Sequence, residues 1–273
     1  MAGIYESVME SAAFLRARGV AADALVILGT GLGGMGARLE AAQPIRYAEI
    51  PHFPRSTSPG HAGHLVSGRR GSVRAIVMEG RFHFYEGHPM SAIAHPVRVA
   101  KALGATTLLL TSAVGGMSPR LRLGDIACIE DHIHMMGESP LRGPADERLG
   151  PRFPDMSAPY DAALMERAEA LALARGYRLP RAVLVSVPGP QLETKAEYRL
   201  LRAAGADVVG MSSTPEVIAA VQAGMRVCAL SVVTDLCLPD ALEPADIGRI
   251  IATANAAAPR LEQLLLGLLD DGA

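Results

Sequence analysis

The chain has 273 residues, 49% of them hydrophobic and 20% charged, with 26 Lys and Arg against 28 Asp and Glu for a net charge of −2. That length builds a full core without disulfide staples, and at about 150 residues per domain it fits two domains or one large α/β domain. The balanced charge excludes a strongly basic nucleic-acid binder, and the hydrophobic content excludes a disordered chain.

Taken in chain order, residues 4–18 set Ile4, Val8, Ala12 and Leu15 on one helical face. Residues 24–28 read as a buried strand that runs into a Gly-rich stretch at 29–36. A short strand is expected at 73–78, a polar loop at 79–90, a helix at 91–103 and a strand at 106–111 that enters a Gly loop at 113–117. A strand at 126–131 precedes a stretch at 137–157 rich in Gly, Pro and charge, which reads as one long surface loop. Then come a helix at 160–176, a strand at 181–187, a Pro-Gly-Pro turn, a helix at 193–204, a strand at 206–210, a helix at 214–223 and a strand at 226–233. An amphipathic Ala/Leu-rich helix fills 245–269.

Alternating helices and near-continuously apolar strands predict a mixed or parallel sheet covered on both faces. No repeat or linker divides the chain, so a single unit over 1–273 is expected. The 137–157 loop exceeds the usual connection length, and such loops are often functional or interfacial. The 28 Gly and 19 Pro point to many tight loops on a rigid frame. Cys128, Cys228 and Cys237 have no CxxC spacing, which suggests neither a disulfide framework nor a zinc site. Glu6 and Glu10 do not suit a secretory leader, and no run of about 18 apolar residues occurs, so a cytoplasmic protein is expected.

Gly29-Thr-Gly-Leu-Gly-Gly34 fits a dinucleotide fingerprint with Glu49 as ribose partner, a phosphate cradle to which Thr30 adds a hydroxyl, or a plain tight turn. Arg81 offers a planar fork for phosphate and His83 a donor, with Tyr85 beside them in a loop after a strand. His61 and His64 are only weakly metal-like, because no Cys or carboxylate completes a site nearby. Glu193 follows the Pro-Gly-Pro turn, where it either faces a pocket or merely joins a first helical turn. Met211, Ser212, Thr234 and Asp235 end two further strands. Polar groups at five strand ends (30, 81–85, 112–113, 211–212 and 234–235) converge if those ends share one edge of a sheet.

These stretches, with Ser112-Ala-Val-Gly-Gly116, Leu141-Arg-Gly-Pro144, Arg152-Phe-Pro154, Gly205-Ala-Asp-Val-Val-Gly-Met-Ser212 and Thr214-Pro-Glu216, resemble the trimeric purine nucleoside phosphorylase family, in order and over nearly the whole chain. The resemblance implies a single α/β domain, with a mixed central sheet, a distorted barrel and helices on both faces. It implies phosphorolysis of purine nucleosides to free base and pentose 1-phosphate, with no metal and no cofactor, phosphate being a co-substrate. It implies that Thr30, His61, Arg81, His83, Ala113 and Ser212 hold phosphate, that Tyr85 and Met211 hold the sugar, and that Leu192, Glu193, Val209, Thr234 and Asp235 line the base. His83, Glu193 and Asp235 become the candidate catalytic residues, and Phe153 reaches a neighbouring subunit's sugar site in a homotrimer. Neither nucleic acid nor membrane is an expected partner.

Asp235 departs from this pattern, since the 6-oxopurine members carry Asn there. An ionised Asp only accepts hydrogen bonds, which suits a 6-amino group, whereas a protonated one can donate to N7. Related methylthioadenosine phosphorylases share the Asp but lack the acid at Glu193, so a methylthioadenosine or adenosine phosphorylase is the alternative. The chain also has no His beyond His134, where the 6-oxopurine members place one near the sugar 5′-hydroxyl, and Leu192 replaces an aromatic. A non-catalytic nucleoside-binding protein of the same fold is the remaining contender.

Overall fold

The computed structural model describes residues 3–29, 31, 33–55 and 63–270. Helix α1 (Ile4–Arg16) buries Val8, Ser11, Ala12 and Leu15, the i, i+3, i+4, i+7 stripe of an amphipathic helix. Ser11 is the polar member of that stripe, and its hydroxyl donates to the Pro51 carbonyl at 2.6 Å.

Nine strands form one mixed sheet among the described residues: β1 (Ala24–Ile27), β2 (Glu40–Arg46), β3 (His64–Arg70), β4 (Val73–Glu79), β5 (Thr107–Gly116), β6 (Ile126–His134), β7 (Arg181–Ser186), β8 (Val208–Gly210) and β9 (Arg226–Leu236). Their order is β2-β3-β4-β1-β5-β8-β7-β6-β9, and β9 pairs again with β5. The last five therefore close a barrel, while β2, β3, β4 and β1 extend from it as an open wing. Strand β5 belongs to both parts. It runs parallel to β1 over Thr107–Leu110 and parallel to β9 along its whole length, then pairs antiparallel with β8 at Gly115 and Gly116. All four residues of β1 and the first six of β5 are buried, as strands covered on both faces must be.

The covering helices are α2 (Met90–Ile93), α3 (His95–Ala102), α4 (Ala162–Leu173), α5 (Lys195–Ala203), α6 (Thr214–Gln222) and α7 (Ile247–Asp270). Helix α7 buries Ala254, Ala257, Leu261, Leu264, Leu265 and Leu268, and packs on β9, α4 and β3. No described helix is long and apolar enough to cross a membrane.

Two strands, β2 and β3, lie where no element was expected. Strand β2 contains Pro44 and is exposed at six of seven positions, as an edge strand tolerates, so no apolar alternation marks it. The helix expected at 91–103 is broken into α2 and α3 at Ala94, because Pro96 has no N–H to give the Ala92 carbonyl and its ring crowds that turn. Strands β5 and β9 run beyond their expected ends, each carrying polar residues into the centre of the molecule. The Gly-rich stretch leads into a single 3-10 turn (Met35–Arg38) and then β2. No crossover helix follows, and Glu49 pairs with Arg46 at the surface, 2.6 Å away, so the dinucleotide reading fails on topology.

Candidate active site

The carboxyl ends of β4, β1, β5, β8 and β9 meet around one cleft of about 380 Å³. Gly29, Arg81, His83, Tyr85, Ala113, Leu192, Glu193, Val209, Met211, Ser212, Thr234 and Asp235 all line it. Thr30 and His61 lie outside the described residues. Phe153 does not line the cleft and is 88% exposed.

At one end of the cleft stands Arg81, 1% exposed. Its Nη1 donates to the hydroxyls of Ser212 and Ser213, both at 2.9 Å, and its Nη2 to the Thr111 carbonyl at 2.6 Å. Glu216, also buried, brings a carboxylate oxygen to 3.9 Å from Nη1. Burial pushes the Glu216 carboxyl up from its ordinary range, and Arg81 pulls it back. A buried arginine needs such a counter-charge, since an unpaired ion in the interior is costly.

Ser213 has φ +76° and ψ −49°, and the Thr214 amide bonds back to the Ser212 carbonyl at 3.0 Å. That is a γ-turn, strained for a residue with a Cβ. It stands at the start of α6 and sets both serine hydroxyls within reach of Arg81. The result is a corner of one guanidinium, two hydroxyls and a helix N-terminus, whose chemistry suits an anion.

His83 stacks on Tyr85, with centroids 4.6 Å apart and planes 15° from parallel. Its Nδ1 lies 2.9 Å from Glu86 Oε1, which also accepts the His83 backbone N–H at 2.9 Å. One carboxylate oxygen thus fixes both the backbone and the ring of His83. Behind the Gly-rich stretch, Glu79 Oε1 accepts the amides of Gly34 and Gly36 at 3.0 and 3.1 Å. Gly29 has no room for a side chain: a Cβ there would lie 2.9 Å from the backbone of β5.

The other end of the cleft carries two half-buried carboxylates. Glu193 precedes α5, outside the helix, because Thr194 is the N-cap and closes a capping box with Glu197. Asp235 is brought inward by an irregularity in β9: Val233 pairs with Val114 but Asp235 pairs with Gly115, so Thr234 is an extra residue. Such a bulge re-aims the side chains that follow it. Asp235 Oδ2 accepts the Cys237 thiol at 3.1 Å, and Thr234 Oγ1 lies 3.0 Å from Oδ1. Burial pushes the Glu193 carboxyl up from its ordinary range.

Tyr198, Cys237, Ser213 and Glu86 also stand at the cleft or against its lining, and no motif in the sequence gives them a site role. Ile247, Ile250 and Ile251 of α7 wall the cleft. The amphipathic run at the start of α7 carried a signal for those isoleucines, but nothing in one sequence says which surface it faces.

The phosphorylase superfamily model matches residues 24–270. Purine nucleoside phosphorylase 1 of Bacillus subtilis is 48% identical over 210 residues, covering 77% of this chain and 78% of its own. Purine nucleoside phosphorylase of Bos taurus is 44% identical over 247 residues, covering 88% and 86%. A Schistosoma purine nucleoside phosphorylase solved in complex with hypoxanthine superposes with a TM-score of 0.92 at 34% identity, covering 97% of this chain and 96% of that one. A Schistosoma mansoni enzyme solved with adenosine gives 0.91 at the same identity and coverage.

Proposed function

The chain belongs to the phosphorylase superfamily and within it to the purine nucleoside phosphorylases, and on that premise we propose that its cleft binds phosphate at Arg81 and a purine at Glu193 and Asp235. The observation that carries this reading is the polarity of the cleft. A buried cation with two hydroxyls faces two carboxylates across a space lined by Tyr85, Met211 and Val209. One anion and one hydrogen-bonding base fit those two ends, with a sugar between.

Cleavage of the glycosidic bond leaves positive charge on the sugar and negative charge on the departing purine. A phosphate dianion held by Arg81, Ser212 and His83 stabilises the first and then attacks C1′. Hydrogen bonding at the purine edge by Glu193 and Asp235 stabilises the second. The chemistry is positioning and electrostatics, with phosphate as co-substrate and no cofactor. Thr30 and His61 complete the phosphate subsite in this reading, and Leu192 and Thr234 the base subsite. The whole of 1–273 acts as one catalytic domain in the cytoplasm. Phe153, exposed on its loop, inserts into a neighbour's sugar subsite in a homotrimer.

The test is release of free base from inosine, guanosine, adenosine and methylthioadenosine with and without phosphate. Base release that requires phosphate is expected, and no release from any of the four overturns the reading. A second reading, preference for 5′-alkylthio nucleosides, is favoured by the apolar wall of Ile247, Ile250 and Ile251. Activity confined to methylthioadenosine in the same panel selects it.

A further inference from the structure

A second cavity of about 490 Å³ adjoins the base end of the cleft, and Glu193, Thr234 and Asp235 line both spaces, with Leu192, Tyr198 and Ile250. Beyond those residues, Leu123, Leu236, Leu238, Ala241 and Leu242 line the second space alone. Leu123, Leu192 and Leu236 are 49%, 42% and 40% exposed. Exposed leucines scattered singly need no explanation, but three around one cavity make an apolar patch, the mark of an interaction site. The charged members of the lining are engaged with one another and with the helix. Arg249 and Glu243 pair at 3.9 Å, and Asp246 accepts the Arg249 amide at the start of α7.

The end of β9 fixes which part of a substrate reaches this space. Asp235 lines both cavities, Leu236 only the second and Cys237 only the first, as successive side chains of an extended strand point to opposite sides. Both oxygens of Asp235 accept from donors of the protein, Oδ1 from the Thr234 hydroxyl at 3.0 Å and Oδ2 from the Cys237 thiol at 3.1 Å. Two donors hold the carboxylate as an acceptor, so the base edge that meets it brings an N–H, as a 6-amino group does. Tyr85, Met211, Ile247 and Ile251 line the first space only, so a sugar and its 5′ substituent stay there.

We propose that the second cavity is a subsite for an apolar group on the 6-amino nitrogen, so that nucleosides of 6-alkylaminopurines are substrates. This rests on the phosphorolysis reading and on Asp235 facing the 6-position. The single N6–H of such a base donates to Asp235, and the alkyl group passes that carboxylate to lie on Leu123, Leu236 and Leu242. An apolar cavity of about 150 Å³ already holds a benzene ring, so the space takes a benzyl group. The reaction itself is unchanged. A phosphate oxygen bonds to C1′, and the C1′–N9 bond breaks with its electron pair passing to the purine, which takes a proton from water.

The experiment compares phosphate-dependent kcat/KM for N6-benzyladenosine and adenosine. The unaltered enzyme is expected to favour the benzyl compound about tenfold, as burial of an apolar ring against leucines gives. Leu123 lies on an exposed turn before β6, so changes there spare the core. Leu123→Trp fills the cavity and Leu123→Asp sets a charge against the ring, and each is expected to lower the preference about tenfold. Loss of folding lowers both activities together and leaves their ratio level. A ratio of one or more that falls in either variant supports the proposal. A ratio below one in the unaltered enzyme, or a ratio that neither variant lowers, overturns it. So does an equal fall for methylthioadenosine relative to adenosine, which assigns the space to the sugar's substituent. Adenosine that is not cleaved at all is a different failure and strikes the proposed function itself.

Discussion

Arg81 ties the site together, because it is buried, charged and makes three hydrogen bonds to two separate segments, the Ser212–Ser213 turn and β5. Arg81→Ala is expected to raise the KM for phosphate and lower kcat/KM by about 10²–10³, the usual cost of losing a charged group that stabilises a transition state. Steady-state kinetics against phosphate checks this, and an unchanged phosphate KM contradicts it. Glu216→Ala leaves the guanidinium without its counter-charge and should cost about 3–5 kcal/mol of stability in a denaturant titration. Asp235→Asn replaces an acceptor by an amide and is expected to lower the adenosine-to-inosine ratio; an unchanged ratio removes Asp235 from the base edge. At this scale the charged residues of the cleft were legible in the sequence, because Arg81, Glu193 and Asp235 each follow an apolar run that reads as a strand. Tyr198 was not, since a tyrosine in an amphipathic helix looks like core. Cys237 was not, since it reaches Asp235 only through a bulge that residue types do not announce.

Caps and bulges place these side chains. The capping box of Thr194 and Glu197 ends α5 one residue short of Glu193 and leaves that carboxylate outside the helix. Thr194→Ala should cost about 1 kcal/mol of stability and raise the nucleoside KM, as thermal melts and kinetics will show. A melt unchanged from wild type means that the cap does not define the helix start. Gly115 is the corresponding device in the sheet. Gly115→Ala drives a methyl group into Cys237 and should cost about 1–3 kcal/mol, as overpacking commonly does. Helices such as α1 and α7 were legible from their apolar stripes. The wing strands β2 and β3 escaped because an exposed edge containing Pro44, and a strand that carries Gly68, Arg69 and Arg70, lack the alternation that marks a half-buried strand.

Closure of the barrel through β5 and β9 joins the proposed phosphate and base ends of the cleft to one pair of strands, held in register by a ten-residue parallel ladder. The fold class was readable from the alternation of elements; the closure was not, because no local pattern shows that β9 returns to β5. Burial also shapes the molecule's response to acid. His95 and His132 are pushed down to about 4 by loss of hydration, from an ordinary 6.5. Both are therefore neutral in the folded state and would charge on unfolding, so stability is whole above pH 6.5 and falls as the pH drops toward 4. Each pH unit in that window costs about 1.4 kcal/mol per histidine. Glu193 and Glu216, raised by burial, act in the opposite sense, so the contribution is isolated by comparison with His95→Gln and His132→Gln. Denaturation midpoints whose pH slope is the same in those variants would remove the histidines from the account. The three buried thiols give the molecule its own gauges of opening. Cys128 and Cys228 lie in the main core and Cys237 beside the cleft, in a smaller cluster with Tyr198 and Val209. A small thiol reagent should thus label the first two at the rate of global unfolding and the third at the rate of local breathing. A bound nucleoside should slow all three, the first two because it stabilises the folded chain and the third because it also blocks opening of the cleft, so the thiols report occupancy without any added probe.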